Sequence, residues 1–198
     1  MNKNELLKDP VQQFLAWYEE AHTQEKCDVD AMSLATTAKD GKPSVRVVLY
    51  KGVREGGVVF YTNYNSPKAS ELDDNPYAAT VFYWPHLYRQ VRISGAVTKL
   101  SYDESNQYFQ TRPRESQIGA WASQQSEIIT GRDDFDANFH EFEKEYHDKV
   151  IPCPLHWGGY RIEPDFIELW QGQAHRLHDR FVYKKSADGL WEIARLAP

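Results

Sequence analysis

Ala31-Met-Ser-Leu-Ala-Thr-Thr-Ala-Lys-Asp-Gly-Lys-Pro-Ser-Val-Arg-Val-Val-Leu-Tyr50 reads as a hairpin. Met32 to Thr37 has the composition of a strand, Lys39-Asp40-Gly41-Lys42 that of a tight turn, and Ser44 to Tyr50 that of the returning strand. The same rhythm continues outward. Glu55-Gly56-Gly57 is a second turn, leading into a strand from Val58 to Thr62. Ser66-Pro67 caps a short helix from Lys68 to Asp73, which Asn75-Pro76 ends. Two further strands follow, Tyr77 to Tyr83 and Tyr88 to Leu100, joined through Trp84-Pro85-His86. Upstream, Asp9-Pro10 supplies an N-cap and a first-turn proline. Val11, Phe14, Leu15 and Tyr18 then recur at helical spacing, and the helix is expected to run to about Thr23.

Downstream, Ser101 and Glu104 form a capping box for a helix reaching about Gln110, with Pro113 as its limit. Residues 116–122 and 133–147 read as helices. Phe135, Phe139, Phe142 and Tyr146 make an apolar stripe on the second, which we expect in the core. Tyr160 to Ile162, Phe166 to Trp170, Arg180 to Lys184 and Trp191 to Arg195 complete the strands. Most links between strands are too short for crossover helices. The expected architecture is therefore α+β and mainly antiparallel: a closed or partly closed barrel with peripheral helices.

The chain has 198 residues, enough for one domain with a sizeable core, and we expect residues 1–198 to form that single domain. The formal net charge of −6 argues against a nucleic-acid binder. Cys27 and Cys153 are its two cysteines, and the opening residues have no apolar leader. Reduced thiols and a cytoplasmic location are the expectation, with no stretch long and apolar enough to cross a bilayer. His175 and His178 lack a third ligand at zinc spacing, so no metal site is expected. Gly-x-Ser-x-Gly, Gly-rich dinucleotide and Walker motifs are all missing.

What the chain does carry is local positive charge. Gln173-Ala-His-Arg-Leu-His-Asp-Arg-Phe181 places two Arg, two His and an Asp between apolar segments. Read as extended chain, it puts Arg176, His178 and Arg180 on one face, where an anion would relieve their repulsion. Arg46 lies inside the apolar strand and Lys51 at its end; both residue types ordinarily face solvent. Ser66 and Lys68 open a helix, a place where N–H groups and a cation hold phosphate. Gln90 and Arg92 share a face of the long strand. Tyr108 and Arg112 are one helical turn apart, and Ser116 follows the Pro113 bend, so that two hydroxyls and a guanidinium form a phosphate clamp. From the residues alone, the reading is a barrel able to bind more than one phosphate-bearing ligand.

These same residues resemble those of the pyridoxine/pyridoxamine 5′-phosphate oxidases. The likeness runs from about Asp9 to the terminal Arg195-Leu-Ala-Pro198. It is carried by Arg46-Val-Val-Leu-Tyr-Lys51, Val59-Phe-Tyr-Thr-Asn63, Arg89-Gln-Val-Arg92, Arg112-Pro-Arg-Glu-Ser-Gln-Ile-Gly-Ala-Trp121, Trp157-Gly-Gly, Trp170-Gln-Gly and Arg176-Leu-His-Asp-Arg180. Several long motifs in the right order make the resemblance specific.

The resemblance implies an FMN-binding split β-barrel and a homodimer with sites at the subunit interface. FMN would be bound by Arg46, Val47, Val48, Leu49, Tyr50 and Lys51, by Tyr61, Thr62, Ser66 and Lys68, and by Gln90. Gln125, Ser126, Trp170 and Arg180 would complete that site, some or all from the partner. The substrate phosphate would meet Lys51, Tyr108, Arg112 and Ser116. Arg176 and His178 would be the catalytic pair, lying over the pyridine ring. The implied reaction passes hydride from C4′ of pyridoxamine or pyridoxine 5′-phosphate to FMN, giving pyridoxal 5′-phosphate; dioxygen takes the electrons and leaves as hydrogen peroxide.

The chain departs from the family pattern in two ways. Pro67 stands where family members often carry Arg, so one flavin-phosphate contact is expected to be lost, at about 1.5–3 kcal/mol if charge-assisted. The chain also starts almost at the first helix, without the Arg- and Tyr-bearing segment that helps cover the substrate. Two alternatives differ in class. One is a related flavin oxidase of another small aromatic, as in phenazine-forming relatives, which lack an intact Arg-Pro-x-x-Ser-Gln clamp. The other is a non-enzymatic flavin- or pyridoxal-phosphate-binding protein.

Overall fold

The strand rhythm closes into a barrel. The computed structural model describes residues 1–198. β1 (Ala31–Thr37), β2 (Pro43–Arg54), β3 (Gly57–Asn63), β4 (Tyr77–Trp84), β5 (Arg89–Lys99) and β6 (Trp157–Gln171) form a ring in the order β3-β2-β1-β4-β5-β6. Pairing of β3 with the first part of β6 closes it, and every neighbouring pair is antiparallel. From Phe166 onward β6 stays paired with β5 but exchanges β3 on its other edge for β7 (Asp179–Lys185), which carries β8 (Trp191–Leu196) at its outer edge. The expected α+β antiparallel barrel is therefore the observed one, and the divergence of β6 is where it splits.

α1 (Pro10–Gln24) starts as its sequence dictates. Pro10 has no N–H to leave unpaired, and the Asp9 carboxylate accepts the N–H groups of Val11 and Gln12. The helix stoppers the barrel with Phe14, which is fully buried. Its ring lies 5.5, 5.0 and 6.5 Å from those of Tyr50, Phe82 and Trp84. α2 (Pro67–Asp74) follows β3. α3 (Tyr102–Thr111), α4 (Arg114–Ala122) and α5 (Arg132–Glu145) lie between β5 and β6. Phe109, Ile118, Ile151, Cys153 and Trp157 form a second, smaller core beneath α3 and α4.

Four local expectations are corrected. Residues 160–162 and 166–170 belong to one strand, because Pro164 sits where the β5–β6 register shifts, and a bulge tolerates a residue without an N–H. Gly95 is needed opposite: a Cβ there would stand 1.8 Å from the Glu163 carbonyl. Residues 175–180 are not extended. Ala174–Arg176 forms a 3₁₀ turn, with His175 and Arg176 in left-handed backbone (φ 57° and 61°), so the one-face alternation of Arg176, His178 and Arg180 fails. α5 buries no residue fully; Phe142 and Tyr146 rest half-buried against Trp121, at ring distances of 5.8 Å each. Ser66 precedes α2 but does not cap it: its hydroxyl donates to the Asn63 carbonyl and accepts from Lys68.

Candidate active site

Strand alternation on β2 sets the first wall of a cleft of about 960 Å³. Tyr50 points inward and is buried, while Val45, Val47 and Leu49 point outward and are exposed. Arg46, Val47, Val48, Leu49 and Lys51 line the cleft. Arg46 does not face solvent as a strand arginine ordinarily would. Its Nη1 donates to the Leu34 carbonyl (3.2 Å) and to Thr36 Oγ1 (2.5 Å); its Nη2 donates to Ser44 Oγ and to Glu71 Oε2 (3.2 Å). Burial pushes the Glu71 carboxyl up, but hydrogen bonds from Ser44 and Thr36 and the charge of Arg46 outweigh it and hold the group below the usual range. Lys51 is likewise matched. Its Nζ donates to Asp30 Oδ2 at 2.8 Å, and Asp30 Oδ1 takes the Tyr18 hydroxyl at 2.5 Å.

Two other cations in the cleft have no carboxylate bonded to them. Lys68 is buried at the start of α2. Its Nζ donates to Thr62 Oγ1 (3.1 Å), Ser66 Oγ (3.0 Å) and Gln125 Oε1 (3.0 Å), all neutral acceptors. Burial, reinforced by Arg46 and opposed by Glu71, draws its pKa down to about 8. Arg112 ends α3. Its guanidinium lies 4.6 Å over the Trp157 ring and 5.6 Å from that of Phe109, and Nη1 is buried without a hydrogen-bond partner. A buried donor with no acceptor is costly, and burial pulls the pKa of Arg112 down. Both seats suit an anion.

Aromatic rings join the two seats. Tyr61 on β3 stacks on Tyr108 of α3 (centroids 3.9 Å, planes at 13°) and on Trp157 of β6 (5.3 Å, 9°). Trp157-Gly-Gly has a geometric reason. A Cβ on Gly158 would stand 2.2 Å from Tyr64 Oη, and one on Gly159 would stand 2.8 Å from Tyr61 Cε1. Thr62, Ser116, Gln125 and Ser126 complete the wall, with Ser126 held in left-handed backbone (φ 72°).

Most of the anticipated residues thus meet in one cleft of one chain, Gln125 and Ser126 included. Tyr50 and Ser66 stand behind its wall as buried residues. Gln90, Trp170, Arg176, His178 and Arg180 do not line it; Gln90, Trp170, His178 and Arg180 gather elsewhere, and Arg176 lies in the turn that follows β6. Gln90 pairs with Trp170 across β5 and β6, and Trp170 with Arg180 across β6 and β7. Arg180 donates to the buried Glu168 carboxylate at 2.8 Å, and the His178 ring lies 4.6 Å from that of Trp170. Gln90 therefore groups with Trp170 and Arg180, not with the β2 wall. Sequence reading did not find Glu71, Asp30, Thr36 or Ser44, whose side chains hold the cleft cations. Their only signal was being polar on an otherwise apolar hairpin or on the adjoining helix.

The family model described as pyridoxamine 5′-phosphate oxidase matches residues 18–145. That described as the pyridoxine 5′-phosphate oxidase C-terminal dimerisation region matches residues 157–198, which hold Trp170, Arg176, His178 and Arg180. A pyridoxine/pyridoxamine 5′-phosphate oxidase of Coxiella burnetii is 51% identical over 198 residues, covering 100% of both chains. One from Leptospira interrogans is 50% identical over 190 residues, covering 96% of this chain and 89% of its own. Among solved structures, PhzG of Burkholderia lata, in complex with tetrahydrophenazine-1-carboxylic acid, superposes with a TM-score of 0.92 at 27% identity, covering 98% of this chain and 95% of its own. A pyridoxamine 5′-phosphate oxidase-related, FMN-binding protein of Nostoc punctiforme gives a TM-score of 0.76 at 16% identity, covering 96% and 98%. This chain belongs to the pyridoxamine 5′-phosphate oxidase family.

Proposed function

We propose that the cleft seats two phosphates side by side, one of FMN and one of the substrate. The observation that carries this reading is the pair of unanswered cations, Lys68 and Arg112, in a cleft where Arg46 and Lys51 are already matched by carboxylates. The protein is an FMN-dependent oxidase that converts pyridoxamine and pyridoxine 5′-phosphates to pyridoxal 5′-phosphate, with dioxygen as acceptor and hydrogen peroxide as co-product. It works as a homodimer.

Lys68, Arg46, Thr62, Gln125 and Ser126 hold the FMN phosphate in this reading, and the β2 wall from Val47 to Lys51 runs along the flavin. Arg112, with Tyr108, Ser116 and Lys51, holds the substrate phosphate. Bound FMN supplies the hydride acceptor and the route of electrons to dioxygen; the chain supplies position and charge. Gln90, Trp170, Arg176, His178 and Arg180 lie outside the cleft of their own subunit, so they serve the cleft of the partner. We read the 198 residues as a single domain, since one sheet runs through both residue sets. No helix is long and apolar enough to cross a membrane. The two cysteines are free, one exposed and one buried, which supports a reducing, cytoplasmic setting. The intact clamp of Arg112 and Ser116 favours a phosphorylated substrate over a phenazine precursor.

The decisive experiment is anaerobic. Pyridoxamine 5′-phosphate added to the FMN-loaded protein should bleach the flavin band, and air should restore it. A flavin that stays oxidised under substrate would overturn the reading.

A further inference from the structure

The loop between β6 and β7 is clasped shut. The Gln173 backbone N–H donates to His178 Nδ1 at 3.1 Å, and the Gln173 side-chain amide donates to Asp179 Oδ2 at 3.1 Å. Asp179 is buried, and it also accepts from Arg195 and, at 3.0 Å, from the Met1 ammonium. Inside the clasp, His175 and Arg176 take left-handed backbone, which non-glycine residues adopt only when their surroundings hold them there. The His178 ring rests 4.6 Å from that of Trp170.

We infer that Gln173 and Asp179 are positioning residues for His178, and that they fix its neutral ring with the proton on Nε2. A backbone N–H only donates, so the Nδ1 it reaches must present a lone pair. A neutral imidazole has one N–H, which then lies on Nε2. Nε2 makes no hydrogen bond within the chain and the residue is half-buried, not fully enclosed, so a donor is offered outward. The inference rests on the reading that His178 serves the partner's cleft. There it enters as a hydrogen-bond donor to an oxygen or nitrogen lone pair of the substrate, and not as a base accepting a proton at Nε2. The same clasp encloses Arg176 in its left-handed backbone.

The test uses FMN-loaded protein labelled with ¹⁵N in its seven histidines. Long-range proton–nitrogen correlation reads the tautomer of each ring at alkaline pH, and His178→Gln identifies the His178 signal by its loss. The wild type should show a protonated Nε2 and a bare Nδ1. Gln173→Ala leaves the backbone N–H but frees the loop. It should give an exchange-averaged ring and lower kcat by about ten- to a hundred-fold, with KM and FMN content little changed. Asp179→Asn keeps an oxygen for the amide and should retain more activity than Asp179→Ala. A proton on Nδ1 in the wild type, or a Gln173→Ala enzyme with both tautomer and kcat unchanged, would overturn the inference. Full turnover in His178→Gln would instead remove His178 from the reaction, leaving the tautomer result standing.

Discussion

Arg112 keeps its charge where no group of its own chain answers it, with Nη1 buried and unpaired beside Trp157. In the proposed reading, replacing it removes a partner for the substrate phosphate but touches nothing around Lys68. Arg112→Ala should therefore raise KM for pyridoxamine 5′-phosphate by about 10- to 100-fold, the loss of a charge-assisted bond of about 1.5–3 kcal/mol, with FMN affinity nearly kept. Loss of FMN with KM unchanged would show that the two phosphate seats have been assigned the wrong way round. Lys68 makes a pH prediction. Its pKa is drawn from 10.5 to about 8, so it loses its proton as pH rises through that value, while the flavin phosphate, with a second pKa near 6, stays dianionic. FMN affinity should fall by about tenfold per pH unit above 8, and fluorescence titration of the flavin reads it directly. Lys68→Met should bind weakly at every pH and lose the dependence. The sign for folding is opposite: the buried charge opposes the flavin-free fold below pH 8, and that opposition fades as the pH rises toward 10.5.

β6 is the element on which barrel and site depend together. Its start closes the ring against β3, its middle bulges at Pro164, and its end carries Trp170 to the second cluster. Gly159 lets it pass the aromatic stack: a Cβ there would stand 2.6 Å from Leu100 Cδ1 and 2.8 Å from Tyr61 Cε1. Gly159→Ala should destabilise the protein by about 1–3 kcal/mol through overpacking and displace Tyr61 from Tyr108. Thermal unfolding and near-ultraviolet circular dichroism check the two effects separately. A variant with wild-type melting and an unchanged aromatic signal would mean that this crossing is looser than its geometry. At this scale, the hairpin from Ala31 to Tyr50 and the cap of α1 were legible because alternation and capping are local. The continuity of β6 was not, since a proline inside a strand reads as a break until the partner strand shows a bulge.

Across the whole molecule, the proposed reading makes the cleft and the second cluster of each chain two half-sites. A homodimer built so that each cleft meets the partner's loop predicts complementation. Arg112→Ala damages the cleft, and Arg176→Ala damages the loop. With substrate well below the raised KM of the Arg112→Ala protein, each homodimer should turn over slowly, but mixed subunits should regain activity. In a heterodimer the undamaged cleft of one chain meets the undamaged loop of the other. Activity that does not rise on mixing, after subunit exchange is verified by mass, would place both halves of each site in one chain.

The sequence by itself determined the antiparallel barrel, the capped first helix and the residue types suited to holding phosphate. Hydrophobic period, turn chemistry and capping act between neighbours in the chain. Only the tertiary structure decided which cations are free to hold a ligand. Arg46, Lys51, Lys68 and Arg112 look alike as isolated charges. Glu71 answers Arg46 from 25 residues away and Asp30 answers Lys51 from 21 residues away, while Lys68 and Arg112 are left to the ligand. Charge pairing acts through space, at distances that folding alone creates.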